Sequence, residues 1–203
     1  MSRRYGQYCG LARALDVVGD RWNLLIVRQL LVAPARYRDL LDGLPGVATN
    51  LLADRLRDLE AAGVVERRLA TEGNAVEYLL TPWGAGLREP VEGLIRWSTP
   101  LMVSGPGGDR FRPEWLALAL PALLAGTAPA TVGIAVDGQL FQVLATESGV
   151  EVGPHDGREL AAVLRADAAV VLGLAAGVLT LDDLGGYVDI DGDDAAVRAV
   201  FAR

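Results

Sequence analysis

A Gly/Pro cluster, Ser104-Gly105-Pro106-Gly107-Gly108-Asp109, stands at the middle of the 203-residue chain and divides it. Such a run supports neither a helix nor a ladder strand. It therefore sets a first module at 1–103, a linker at 104–113 and a second module at 114–203, each of a size that folds around one core. The charge divides at the same place. Residues 1–100 hold 13 Arg against 12 acids, and residues 101–203 hold 6 Arg against 14. Taken whole, a formal charge of -7 argues against a polyanion-binding protein. Taken by halves, the acidity belongs to the second module alone. All nineteen basic residues are Arg, a coding habit before it is chemistry.

Cys9 is the only cysteine and His155 the only histidine, which excludes an intramolecular disulfide, a multi-cysteine metal site and a histidine cluster. No apolar run follows Arg3 and Arg4, so no signal peptide is read there, and the expected location is cytoplasmic. The charge-free stretch 116–136 is long enough to span a membrane, but Pro121, Gly126, Pro129 and Gly133 interrupt it. A buried helix followed by a buried strand is expected there, with no membrane association.

The first module reads as helices followed by a ribbon. Leu11, Leu15 and Val18 share one helical face, and Trp22, Leu25, Ile26, Leu30 and Leu31 mark a second helix. A short helix is expected over 36–41, ended by Gly43 and Pro45, and a longer one over 49–62, closed by Gly63. Extended runs at 64–69 and 76–80 flank Thr71-Glu72-Gly73-Asn74, which has the residues of a hairpin turn. Thr81-Pro82 is an N-cap and first-turn pair for a last helix, in which Pro90 is expected to make a kink. This order is that of a winged helix-turn-helix, whose second helix enters the major groove of DNA.

If Leu52, Leu56 and Leu59 face the core, a step of about 100° per residue puts Asn50, Asp54 and Arg57 on the opposite side, with Thr49 and Ala53 flanking. Asn and Arg suit bidentate pairing to adenine and guanine, so Asn50 and Arg57 are the candidate base readers. Arg55 sits at the edge of the buried stripe, suited to a salt bridge or a phosphate. Arg36 and Arg38 are placed for phosphate contact, while Arg67 and Arg68 alternate sides, so one of the two points to DNA.

The runs Leu15-Asp16-Val17-Val18-Gly19-Asp20-Arg21-Trp22 and Leu24-Leu25-Ile26-Val27-Arg28-Gln29-Leu30-Leu31 resemble the opening signature of the HxlR family of bacterial winged-helix regulators. So do Tyr37-Arg38-Asp39-Leu40, Arg55-Leu56-Arg57-Asp58-Leu59-Glu60, Gly63-Val64-Val65, Glu77-Tyr78-Leu79-Leu80-Thr81-Pro82-Trp83-Gly84 and Trp97. The resemblance covers roughly residues 5–97. It implies a homodimer formed through the first and last helices, with Leu11, Leu15, Leu87, Val91, Leu94 and Ile95 as the contact, bound to a pseudo-palindromic operator. It also puts Cys9 where family members carry an oxidant-sensing cysteine, with Arg13 as the one cation nearby in sequence. Two positions depart from the pattern. Ala48 replaces a Ser at the start of the recognition helix, which moves the expected cap to Thr49, and Asp20 replaces a Gly before Arg21-Trp22.

In the second module a helix is expected over 114–124, then strands over 131–136 and 140–145 joined by Asp137-Gly138, a short strand over 150–152, a helix over 157–165, a strand over 168–172, a helix over 173–179, a strand over 187–190 and a terminal helix over 193–202. This α+β order, the acidic helix-strand segment 158–172, the Leu181-Asp182-Asp183-Leu184 turn and the ending Tyr187-Val188-Asp189-Ile190-Asp191-Gly192-Asp193 resemble the sterol-carrier-protein-like fold, which implies a cavity for an apolar small molecule. Asp189, Asp191 and Asp193 take the first positions of a calcium loop, but Asp194 replaces its Gly and Val200 its Glu, so no metal is expected. No cofactor is implied either. His155 and Ser148 have no partners at catalytic spacing, so an enzyme is not expected. The expected function is a transcriptional repressor whose operator affinity an apolar effector modulates. A lipid carrier with an idle winged helix and a redox regulator acting through Cys9 are the alternatives.

Overall fold

The computed structural model describes residues 4–70, 75–102, 105, 107–124, 129–146 and 149–202, which form two compact units, Met1–Val91 and Glu92–Arg203. The expected turn at 71–74, Ser148 and parts of the Gly/Pro cluster lie outside the described residues.

In the first unit, α1 (Gly10–Val18), α2 (Asn23–Val32), β1 (Ala35–Arg36), α3 (Tyr37–Gly43) and α4 (Thr49–Ala61) precede the ribbon strands β2 (Val65–Leu69) and β3 (Val76–Leu80). The three strands pair antiparallel in the order β1-β3-β2. Ile26, Val27, Leu40, Leu52, Leu56, Leu59 and Val64 are buried around the packed helices. The stop of α4 is set by Gly63, whose φ of +77° a side chain would resist. The Val64 amide donates to the Leu59 carbonyl at 2.9 Å and the Gly63 amide to the Glu60 carbonyl at 2.9 Å, the pair of hydrogen bonds that closes a helix through a left-handed residue.

The helix expected after Thr81-Pro82 is two helices, α5 (Pro82–Ala85) and α6 (Arg88–Ser98). Thr81 Oγ1 accepts from the Gly84 amide at 3.0 Å, as an N-cap should. Pro90 makes no kink, because it falls in the first turn of α6, where its missing N–H has no intrahelical partner to lose.

The second unit runs α7 (Leu116–Leu123), β4 (Ala130–Val136), β5 (Gln139–Thr146), β6 (Gly149–Pro154), β7 (Ala162–Arg165), α8 (Ala168–Ala175), β8 (Asp189–Gly192) and α9 (Asp194–Phe201). Its five strands lie in the order β6-β5-β4-β7-β8, with β4 and β7 parallel and the other pairs antiparallel. One face carries Val132, Ile134, Phe141, Val143, Ala162 and Leu164, buried with Leu116, Leu120, Val171, Leu174, Val197 and Val200 of the three helices.

Two expectations here are corrected. Residues 157–165 do not form a helix: Ala162–Arg165 is a strand, whose Ala162 and Leu164 alternate into the core while pairing with Val132 and Ile134. Residues 168–172 do not form a strand: they open α8, where Val171, Leu174 and Ala175 are buried at helical spacing. A short apolar run has no period of its own, so its neighbours decide between the two forms. The stretch 116–136 holds α7 and β4, and no helix among the described residues is long and apolar enough to cross a membrane.

Candidate nucleic-acid interface

On α4 the stripe Leu52, Leu56 and Leu59 is buried, and Thr49, Asn50, Asp54 and Arg57 are exposed, with Ala53 half-buried between them. The start of the helix is positioned by Tyr37, whose hydroxyl donates to the Thr49 carbonyl at 2.6 Å. The expected cap at Thr49 is corrected: Ala48 holds the N-cap position in extended backbone, no side chain caps the helix, and Thr49 is its first residue. The first-turn amides therefore carry the positive end of the helix dipole without a side-chain acceptor from the cap.

The arginines divide into three groups. Arg57 is 71% exposed at its side chain and pairs with Asp54 at 2.9 Å. Arg55 is turned inward, pairing with Asp20 and, at 3.1 Å, with Asp58. This gives Asp20 a role: it fastens the turn before α2 to the recognition helix. The third group is on the ribbon. The register places Arg36, Glu77 and Arg68 in one row across β1, β3 and β2, and Ala35, Tyr78 and Arg67 in the neighbouring row. Directly opposed residues share a face of a sheet. Arg67 is thus on the face toward α4, where its Nε donates to Glu60 at 2.8 Å, and that pair raises its pKa further. Arg68 and Arg36 lie on the other face, on either side of Glu77. Arg36 belongs to β1 and precedes α3, and its amide donates to Asp39 at 3.0 Å, while Arg38 is exposed on α3.

Of the residues expected to meet a second copy, Leu11 is 69% exposed, Leu15 38% and Leu94 47%, while Leu87 and Ile95 are half-buried. Val91, at 7%, is already buried within the chain. Tyr8 and Trp97, outside this set, are also exposed apolar side chains. Cys9 precedes the first residue of α1 and is exposed. Its pKa is lowered by the backbone amides of Ala12 and Leu11, not by Arg13, which lies 3.6 Å from Asp16.

In the second unit the Asp cluster is divided between structural tasks. Asp189 and Asp191 face Arg165 at 3.3 and 3.6 Å, and Asp193 caps α9 by accepting from the Ala195 amide at 2.9 Å. The sheet face away from the helices carries Leu140, Leu144 and Val163, all half-buried. Leu160 rests on this face at Gly133, where an added Cβ would meet Leu160, Leu140 and Val163 within 3.0 Å. The Asp156 amide donates to Gln142 at 3.4 Å, so the connection from β6 to β7 crosses the same face. Asp156 itself is held well below the usual carboxylate range by the Arg158 guanidinium and by Gln142. A groove of about 510 Å³ at one end of the sheet is lined by Leu140, Arg165, Asp167 and Tyr187.

The first unit thus has the element order and exposed recognition helix of a winged helix-turn-helix DNA-binding protein, and the second is a separate sheet-bearing unit. Comparison with known proteins narrows the first. The HxlR-like helix-turn-helix profile matches residues 17–104. Over 88 residues the chain is 35% identical to YvaP of Bacillus subtilis (strain 168), an uncharacterized HTH-type transcriptional regulator, covering 43% of this chain and 82% of that protein. It is 33% identical to the HTH-type transcriptional regulator YodB of the same organism over 42% of this chain and 77% of YodB. The match to the uncharacterized HTH-type regulator sll1512 of Synechocystis is 38% identical and spans 59% of that protein. Among solved structures, PA1607, described as a putative transcription factor, is 34% identical over 53% of this chain and 74% of its own, with a TM-score of 0.47. The chain belongs to the HxlR family of helix-turn-helix transcriptional regulators.

Proposed function

We propose that the protein is a homodimeric repressor that holds an operator through α4 and the ribbon, and that its second unit takes an apolar effector. The observation that carries the DNA reading is the solvent side of α4, where Asn50 and Arg57 stand on the face opposite a fully buried Leu52-Leu56-Leu59 stripe. Arg68, Arg36 and Arg38 supply phosphate contacts on this reading, and Arg67 and Arg55 brace the helix from behind. The exposed side chains of Leu11, Leu15, Leu94 and Trp97 give the dimer its apolar contact. The resemblance of the second unit to sterol-carrier proteins, and the half-buried Leu140, Leu144 and Val163 on its sheet, support an apolar ligand there. Such a ligand alters DNA affinity only by favouring one dimer geometry over the other.

The test is fluorescence anisotropy with DNA from upstream of the coding region, at salt from about 50 to 200 mM. Saturable, salt-dependent binding supports the reading, and absence of binding at the lowest salt refutes it. Arg57→Ala should narrow the gap between operator and random DNA by about 1–3 kcal/mol.

A second reading rests on Cys9, exposed and with its pKa lowered by the first amides of α1. Oxidation there would alter the same apolar surface that carries Leu11.

A further inference from the structure

The first unit holds a second groove, of about 580 Å³, on the side of α1 away from Leu11 and Leu15. Arg13, Asp16 and Val17 of α1 line it, with Asp20 from the next turn, Asn23 at the start of α2, Asp58 from the last turns of α4, and Trp83 of α5. A dimer built on Leu11 and Leu15 therefore leaves it open.

Its chemistry is one of missing donors. Asn23 is 2% exposed, and its Nδ2 donates to the Val17 carbonyl at 2.9 Å, while its Oδ1 has no hydrogen-bond partner among the described residues and is buried. A buried acceptor without a donor is costly and calls for a partner. Asp20 and Asp58, which line the same groove and are each about half exposed, meet a single guanidinium nitrogen, Arg55 Nη1, and so offer further acceptor positions on the groove side. Arg13 is committed toward Asp16, and Arg4, which also lines the groove, brings the local count to three arginines against three aspartates. The wall is Trp83, 62% exposed, an aromatic face that attracts a flat ring or a cation.

We propose that this groove binds a small aromatic amine, its ring on Trp83 and its ammonium group among Asp20, Asp58 and Asn23 Oδ1. The ammonium competes with Arg55 for the two carboxylates. Since Asp20 and Arg55 fasten the recognition helix to the turn before α2, occupancy loosens α4 and weakens DNA binding. This last consequence rests on the DNA reading above, whereas the binding of the amine does not.

The experiment is isothermal titration of the full chain with tyramine, and with 4-hydroxyphenylacetate, which keeps the ring and replaces the amine by an acid. Saturable binding of tyramine at one per chain, at least tenfold tighter than the acid and at least tenfold weaker in Trp83→Ala, is the expected result. Asp58→Asn, at a half-exposed surface position, is the second variant and should weaken tyramine in the same way. No saturation up to about 10 mM, equal binding of the acid, or undiminished binding by both variants overturns the proposal. Anisotropy with operator DNA separates the two readings: loss of tyramine binding with DNA binding intact removes the groove alone, and tyramine binding without DNA binding removes the regulator alone.

Discussion

The register of the ribbon makes the sharpest forecast, because it separates two adjacent arginines. Arg68 shares a sheet face with Arg36 and Glu77, whereas Arg67 points the other way and is held by Glu60 at 2.8 Å. If the Arg68 face meets the DNA backbone, Arg68→Ala removes one phosphate contact per wing and two per dimer. Each contact contributes about 0.9 to the slope of log K against log salt, so the slope should become shallower by about 1.8. Between 50 and 200 mM salt, the gap between variant and wild type should then shrink roughly tenfold. Arg67→Ala should leave the slope unchanged and cost little folding stability, since its pair with Glu60 is exposed to solvent. Glu77→Gln, which removes the carboxylate between Arg36 and Arg68, should tighten binding at low salt. Anisotropy titrations at four salt concentrations measure all three. Equal slopes for Arg67→Ala and Arg68→Ala, or a steeper loss in Arg67→Ala, would refute the assignment of faces.

Other expectations follow from packing and from the thiol. At Gly84 an added Cβ would lie 2.0 Å from the Val64 carbonyl oxygen, so Gly84→Ala must move backbone and should cost about 2–3 kcal/mol. Gly93→Ala on α6 meets nothing nearer than 3.9 Å and should instead gain about 0.5–1 kcal/mol, and urea unfolding followed by circular dichroism distinguishes the signs. Gly192 has φ +106°, and its Cβ would lie 2.6 Å from the Ala161 carbonyl, so Gly192→Ala should destabilise the second unit at the β7–β8 pair, visible as a lowered thermal midpoint. Because the backbone amides of Ala12 and Leu11 lower the Cys9 pKa, its alkylation rate should reach half its plateau at a lower pH than that of an unstructured cysteine peptide; a midpoint at or above the peptide's contradicts that influence.

How far the sequence reaches differs between the units. In the first, the leucine stripe of α4 and the Gly63 stop are local patterns with a fixed period, and residues 49–62 named the helix to within a residue. The exposed set Asn50, Asp54 and Arg57 follows from the same 100° step. Asp20 had no reading in the sequence, since its partner Arg55 is 35 residues away and only folding brings the two together. The side taken by Arg67 was equally open until the strand register chose Glu60 for it.

In the second unit, the strands around Asp137-Gly138 were legible because alternation and a two-residue turn are local signals. The exchange of helix and strand at 157–175 was not. Ala162 and Leu164 extend because β4 offers a parallel edge to pair with, and the uniformly apolar run from Ala168 coils because it must cover that sheet. Sequence determined what each segment can bury and where the chain must turn. The partners that decide between equally apolar conformations, and the faces on which charged side chains finally stand, came only with tertiary structure, because hydrogen-bond pairing and burial are satisfied between segments far apart in the chain.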